Sequence, residues 1–147
     1  MAAANIDPVY SKVGKISWGT TDSDGTTAGP IKTASTTKDG TTSVVTIFTA
    51  DATNGSFVKA VRARAAGTCT ASVLRIFINN GSATGTIANN ILYTEATLPA
   101  TTINEVAALL DVDVPINLML PPGYKLTVAI GTTVSAGWCV SAIGGSY

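Results

Sequence analysis

From residue 110 to 118 every second side chain is large and aliphatic: Leu110, Val112, Val114, Ile116 and Leu118. Asp111, Asp113, Pro115 and Asn117 occupy the positions between them. A strand repeats every two residues, so this spacing predicts a ribbon with one dry face and one wet face. The same grammar recurs along the chain. Residues 12–18 form a short alternating run, and residues 42–50 are rich in β-branched Val44, Val45, Thr46 and Ile47. Asn54-Gly55 marks a turn, and residues 57–66 place Phe57, Val61 and Ala63 opposite Arg62 and Arg64. Residues 71–79 are apolar on both faces (Leu74, Ile76 and Ile78 against Val73 and Phe77), which fits a central strand. Residues 91–98, 124–130 and 137–143 complete the series, punctuated by Asn80-Gly81, Pro99 and Pro121-Pro122-Gly123. Residues 101–109 fit either a short helical turn capped by Thr101 or Thr102, or a loop packed across the sandwich.

Short strands with turn signals every 8–12 residues or so are the signature of an all-β fold. The expected architecture is a single antiparallel β-sandwich, jelly-roll-like, because no helical segment of a length an α/β fold requires separates the strands. Composition shifts near residue 40. Residues 20–43 are Thr, Ser, Gly, Asp and Lys, with Ile31 the one aliphatic side chain larger than Ala or Pro. Such a segment cannot offset its own ordering entropy, so residues 1–40 are expected as an extended N-terminal arm or loop and 41–147 as the sandwich. Trp18 in that arm is an anchor candidate, for the same chain or a neighbour.

The 147 residues suit one domain, and 46% hydrophobic content argues against wholesale disorder. Only 12% of residues are charged, about half of the roughly 25% usual for a globular domain. Nine cationic and nine anionic side chains leave no basic footprint for nucleic acid. A neutral, charge-poor surface tends to associate, which points to a subunit of an assembly. Histidine is absent, removing the commonest general base and metal ligand. Cys69 and Cys139 form no framework and are expected as unpaired thiols. No basic region precedes an apolar run at the N-terminus, so synthesis in the cytoplasm is expected, and no apolar run is long enough for a membrane helix.

Candidate chemistry is sparse. Asp22-Ser23-Asp24-Gly25 opens like a calcium loop, but the twelfth position is Thr33, which cannot supply a bidentate carboxylate. Asp111 and Asp113 share a strand face about 7 Å apart, suited to acid–base work or, more simply, to ion pairs with Arg62, Arg64 or Arg75. Asn54-Gly55-Ser56 and Asn80-Gly81-Ser82 match the glycosylation sequon and carry little weight without a secretory signal. No catalytic, cofactor or metal site is expected, and a non-enzymatic role follows.

The stretch from about residue 38 to 147 resembles a known family. It holds Lys38-Asp39-Gly40, Thr46-Ile47-Phe48-Thr49-Ala50 and Arg75-Ile76-Phe77-Ile78-Asn79-Asn80-Gly81. Further on come Leu98-Pro99-Ala100-Thr101-Thr102, Leu120-Pro121-Pro122-Gly123-Tyr124-Lys125, Ala136-Gly137-Trp138 and Gly144-Gly145-Ser146-Tyr147. As a whole this resembles the capsid decoration, or cement, proteins of tailed bacteriophages. The motifs are turns and strands, and the residues before 38 are not covered. The resemblance implies a virion protein on the outer capsid surface that binds the major capsid protein and stabilises the shell. It also implies a homotrimer at three-fold or quasi-three-fold positions, with no catalytic residue, nucleic acid or membrane involved. Ile6, Trp18, Ile31 and Tyr147 are the expected capsid or subunit contacts. The alternative is a tail- or fibre-associated sandwich that binds host-surface carbohydrate through exposed aromatics, with Trp138 or Tyr124 as candidates.

Overall fold

A computed structural model describes residues 13–19 and 29–147. Its eight strands are β1 (Val13–Trp18), β2 (Val45–Thr49), β3 (Ser56–Ala65), β4 (Ser72–Asn79), β5 (Asn90–Leu98), β6 (Val112–Leu120), β7 (Lys125–Ile130) and β8 (Trp138–Ser146). They form two four-stranded antiparallel sheets, ordered β1-β8-β3-β6 and β2-β7-β4-β5. The first strand pairs with the last, the second with the seventh, the third with the sixth and the fourth with the fifth. A long ribbon of paired strands folded over itself is a jelly roll, so the expected fold class holds.

The core lies between the sheets. Val58, Val61, Ala63, Val114, Ile116, Trp138, Val140 and Ala142 from the first sheet meet Val45, Ile47, Leu74, Ile76, Leu126, Val128 and Ile130 from the second. β4 is central and buries both faces, as its two-sided apolar pattern predicts.

Two expectations are corrected, on β6 and β3, and one open alternative, at residues 101–109, is decided. β6 begins at Val112, because pairing with β3 ends at Ala63 opposite Val112, and Leu110 is left exposed in the preceding loop. Residues 101–109 form no helix; they are a loop tied to the body by the Cys69–Thr101 bridge. Phe57 does not share a face with Val61 and Ala63. β3 gains one residue against β8 between Val58 and Ala60, so parity flips there, Val58 turns inward and Phe57 lies outside the core cluster. The flip brings backbones together: a Cβ on Gly144 would lie 2.1 Å from the Phe57 carbonyl oxygen, so only glycine fits.

The expected arm is divided. Val13–Trp18 is an edge strand of the first sheet. Residues 29–42 cross from one sheet to the other: Ile31 bridges Trp138 at the start of β8, and Ala34 bridges Ile130 at the end of β7. Residues 1–12 and 20–28 lie outside the described residues, and with them Ile6 and the calcium-loop candidate at Asp22 and Asp24.

Candidate interaction surface

The outer faces of the two sheets differ. On the second sheet, residues 33–42 form a roof over Phe77, Thr127 and Ala129, which are fully buried yet lie outside the inter-sheet core cluster. Roof contact is close at Gly40, whose φ is +73° and where a Cβ would sit 3.1 Å from the Phe77 ring. Arg75, with only 12% of its side chain exposed, donates from Nη1 to the Ser35 carbonyl at 2.7 Å and from Nε to Glu95 Oε1 at 2.9 Å. That hydrogen bond, with Lys38 nearby, holds the Glu95 carboxyl below its ordinary range. Asp39 accepts from the Thr41 hydroxyl at 2.7 Å and the Thr41 amide at 3.0 Å, which lowers its pKa and fixes the turn beneath the roof's end.

The first sheet has no such cover among the described residues. Its outward positions run in cross-strand rows. One row is Ile16, Ile143, Ala60 and Pro115, and the next is Gly14, Gly145, Phe57 and Met119. Ile16 is 68% exposed and Met119 70%. A third row runs Trp18, Ser141, Arg62 and Asp113, with the Trp18 indole 60% exposed. The face is therefore apolar at one end and polar at the other.

At the polar end the two aspartates are held in ion pairs. Arg62 donates to both Asp113 oxygens (Nε to Oδ1 at 2.7 Å, Nη2 to Oδ2 at 3.2 Å), and Arg64 Nη1 lies 2.8 Å from Asp111 Oδ1. The Arg62 guanidinium lowers the Asp113 carboxyl, and Asp113 in turn raises Arg62. Exposed pairs of this kind fix strand register more than stability. A carboxylate committed to a bidentate arginine is poorly placed as a base, so the ion-pair reading of these aspartates is the one the geometry supports. Beside them an open cavity of about 440 Å³ is lined by Trp18, Ile31, Arg62, Arg64, Cys139 and Ser141, among others. Gly19 and Gly29, the last and first described residues around 20–28, also border it.

Among the four expected contact residues, Trp18 is on the exposed face. Ile31 is 2% exposed and packed in the core of its own chain, so it offers nothing to a neighbour. Tyr147 is half-buried, its amide donating to the Gly55 carbonyl at 3.4 Å, and Ile6 is outside the described residues. Sequence reasoning missed Ile16, Phe57 and Met119. Ile16 and Met119 occupy positions where alternation alone assigns a strand residue to either face, and the β3 bulge moved Phe57 outward. Of the aromatics proposed for carbohydrate, Trp138 is fully buried and Tyr124 is half-buried against the core. Cys69 is buried, its Sγ 3.5 Å from the Gly137 carbonyl, and Cys139 is exposed; they are not joined. Among the described residues no three His, Cys, Asp or Glu side chains gather into a metal-binding group.

Fold and surface together define a jelly-roll β-sandwich with one roofed face and one face that, among the described residues, is uncovered and apolar at one end. No family model matches the chain, and no curated protein matches it. Among solved structures, a chain of the T13 viral particle of infectious bursal disease virus is similar at 17% identity and a TM-score of 0.36, covering 99% of this chain and 35% of that one. A mutant VP2 protein of the same virus, from T=1 particles, is similar at 17% identity and a TM-score of 0.37, covering 99% and 36%. The chain thus spans about a third of the length of these proteins, and at such scores the likeness carries no argument.

Proposed function

We propose that this chain is a non-enzymatic structural protein of a virion, which binds the outside of a phage capsid through the open face of its first sheet and stabilises the shell. The observation that carries the reading is the exposed apolar surface of Ile16, Trp18 and Met119, with the half-buried Phe57 between them, on a chain with only 12% charged residues. Large exposed apolar patches on soluble domains mark interaction sites, and the opposite face is covered by the chain itself. The resemblance to phage decoration proteins supplies the partner, the major capsid protein, and the place, the outer head surface.

Cryo-electron microscopy of virions carrying this protein tests the reading. Density at regular positions on the outer head, with the first sheet turned toward the shell, is the expected result. Density confined to the tail or fibres contradicts it.

A further inference from the structure

The jelly roll leaves four strand edges: β1 and β6 on the first sheet, β2 and β5 on the second. Exposed edges are templates for unwanted pairing, and proteins blunt them with proline, bulges, charge or short length. Three of these edges are blunted. β6 carries Pro115, Asp113 and a register shift beside Asn117, whose φ is +48°. β5 has a register shift opposite Ile76 and Phe77, and Glu95. β2 is five residues long and shifts register between Thr46 and Phe48.

Among the described residues β1 has only one of these devices, an inward-pointing charge. Its six residues pair with β8 in unbroken register, without proline or bulge. Its single charge, Lys15, is turned inward: Nζ lies 4.7 Å from the Phe48 ring centroid and donates to the Thr49 carbonyl. Val13, Ile16 and Trp18 stay exposed.

We propose that β1 is the edge through which two copies of this chain join, β1 against β1, into one continuous sheet. The strand is self-complementary in antiparallel pairing about a two-fold axis at Ile16. Ile16 then faces the second copy's Ile16, Trp18 faces the second copy's Gly14, and Lys15 faces the second copy's Ser17. Apolar meets apolar, an indole covers a glycine, and no like charges meet. Both open faces fall on the same side, so the pairing widens the surface described above. The proposal does not depend on the capsid reading.

Sedimentation equilibrium of the full-length protein tests it. The wild type is expected to be a dimer. Ile16→Lys sets two ammonium groups against each other on the axis and should weaken association by about tenfold or more, with circular dichroism and thermal melting unchanged, since the site is exposed. In a Cys139→Ser background, Ile16→Cys should cross-link on oxidation, because directly opposed Cβ atoms are about 4.5–5.5 Å apart, and Val13→Cys should not. A monomeric or trimeric wild type, or association indifferent to Ile16→Lys, overturns the proposal. A dimer that fails to bind capsids leaves it standing and removes the capsid reading instead. A monomer that decorates capsids does the reverse.

Discussion

Two outer faces of one sandwich, built from the same strand grammar, have opposite fates. On the second sheet the chain returns over its own surface, and Phe77, Thr127 and Ala129 become interior residues. On the first sheet Ile16, Trp18 and Met119 remain exposed. The roof is made of small polar residues, and its own composition would never predict that it packs. It packs because the sheet beneath supplies the hydrophobic surface, while Ser35 and Gly40 allow close approach. Among the described residues nothing covers the first sheet's outer face, and it is the surface at which the proposed partner would dock.

The largest expected contrast is in stability. Phe77→Ala should cost about 3–5 kcal/mol, as for a buried core aromatic. Met119→Ala, on the open face, should change stability by less than about 0.5 kcal/mol. Urea denaturation of both variants checks this, and equal losses would erase the distinction between the faces. Next comes the tie that holds the roof. Arg75→Ala removes the hydrogen bond to the Ser35 carbonyl and should cost about 1.5–3 kcal/mol, with faster proteolysis within residues 33–42. Smaller and opposite in sign is Thr127→Val. The Thr127 hydroxyl is buried beneath the roof with no hydrogen-bond partner among the described residues, so an isosteric apolar side chain should raise stability by about 1 kcal/mol.

The smallest expected effect is on pH dependence. Asp39 and Glu95 have folded-state pKa values below their ordinary 3.8 and 4.5. Their contribution is therefore fully present above the ordinary values and is lost as pH falls through the depressed folded ones. Acid should loosen the roofed side below about pH 4.5, and Asp39→Asn with Glu95→Gln should flatten that part of the stability profile.

Much of the fold is legible in the sequence. Period-two alternation and turn dipeptides locate seven strands within a few residues and mark β4 as central, and the run before Trp18 gives the eighth. What escapes is long-range. The parity flip between Val58 and Ala60 arises from an extra residue against β8, and only the pairing reveals it. The roof escapes because its burial depends on a sheet 37 to 95 residues further along, as the contacts of Gly40 with Phe77 and of Ser35 with Ile130 illustrate. In isolation Ile31 looks like an anchor and Trp138 like a carbohydrate-binding aromatic; they bridge each other and both are buried in the core. The open face escapes for a related reason. Alternation says that a strand has two faces, and only the folded chain says which one is left uncovered.

Binding to shells stripped of this protein, for two single-lysine variants on opposite faces, is the most direct test. Met119→Lys puts a charge on the open face, and Thr36→Lys puts the same charge on the exposed surface of the roof. The account predicts that Met119→Lys weakens binding by about tenfold or more while Thr36→Lys binds like the wild type. Equal affinities for both variants, or loss confined to Thr36→Lys, would contradict it.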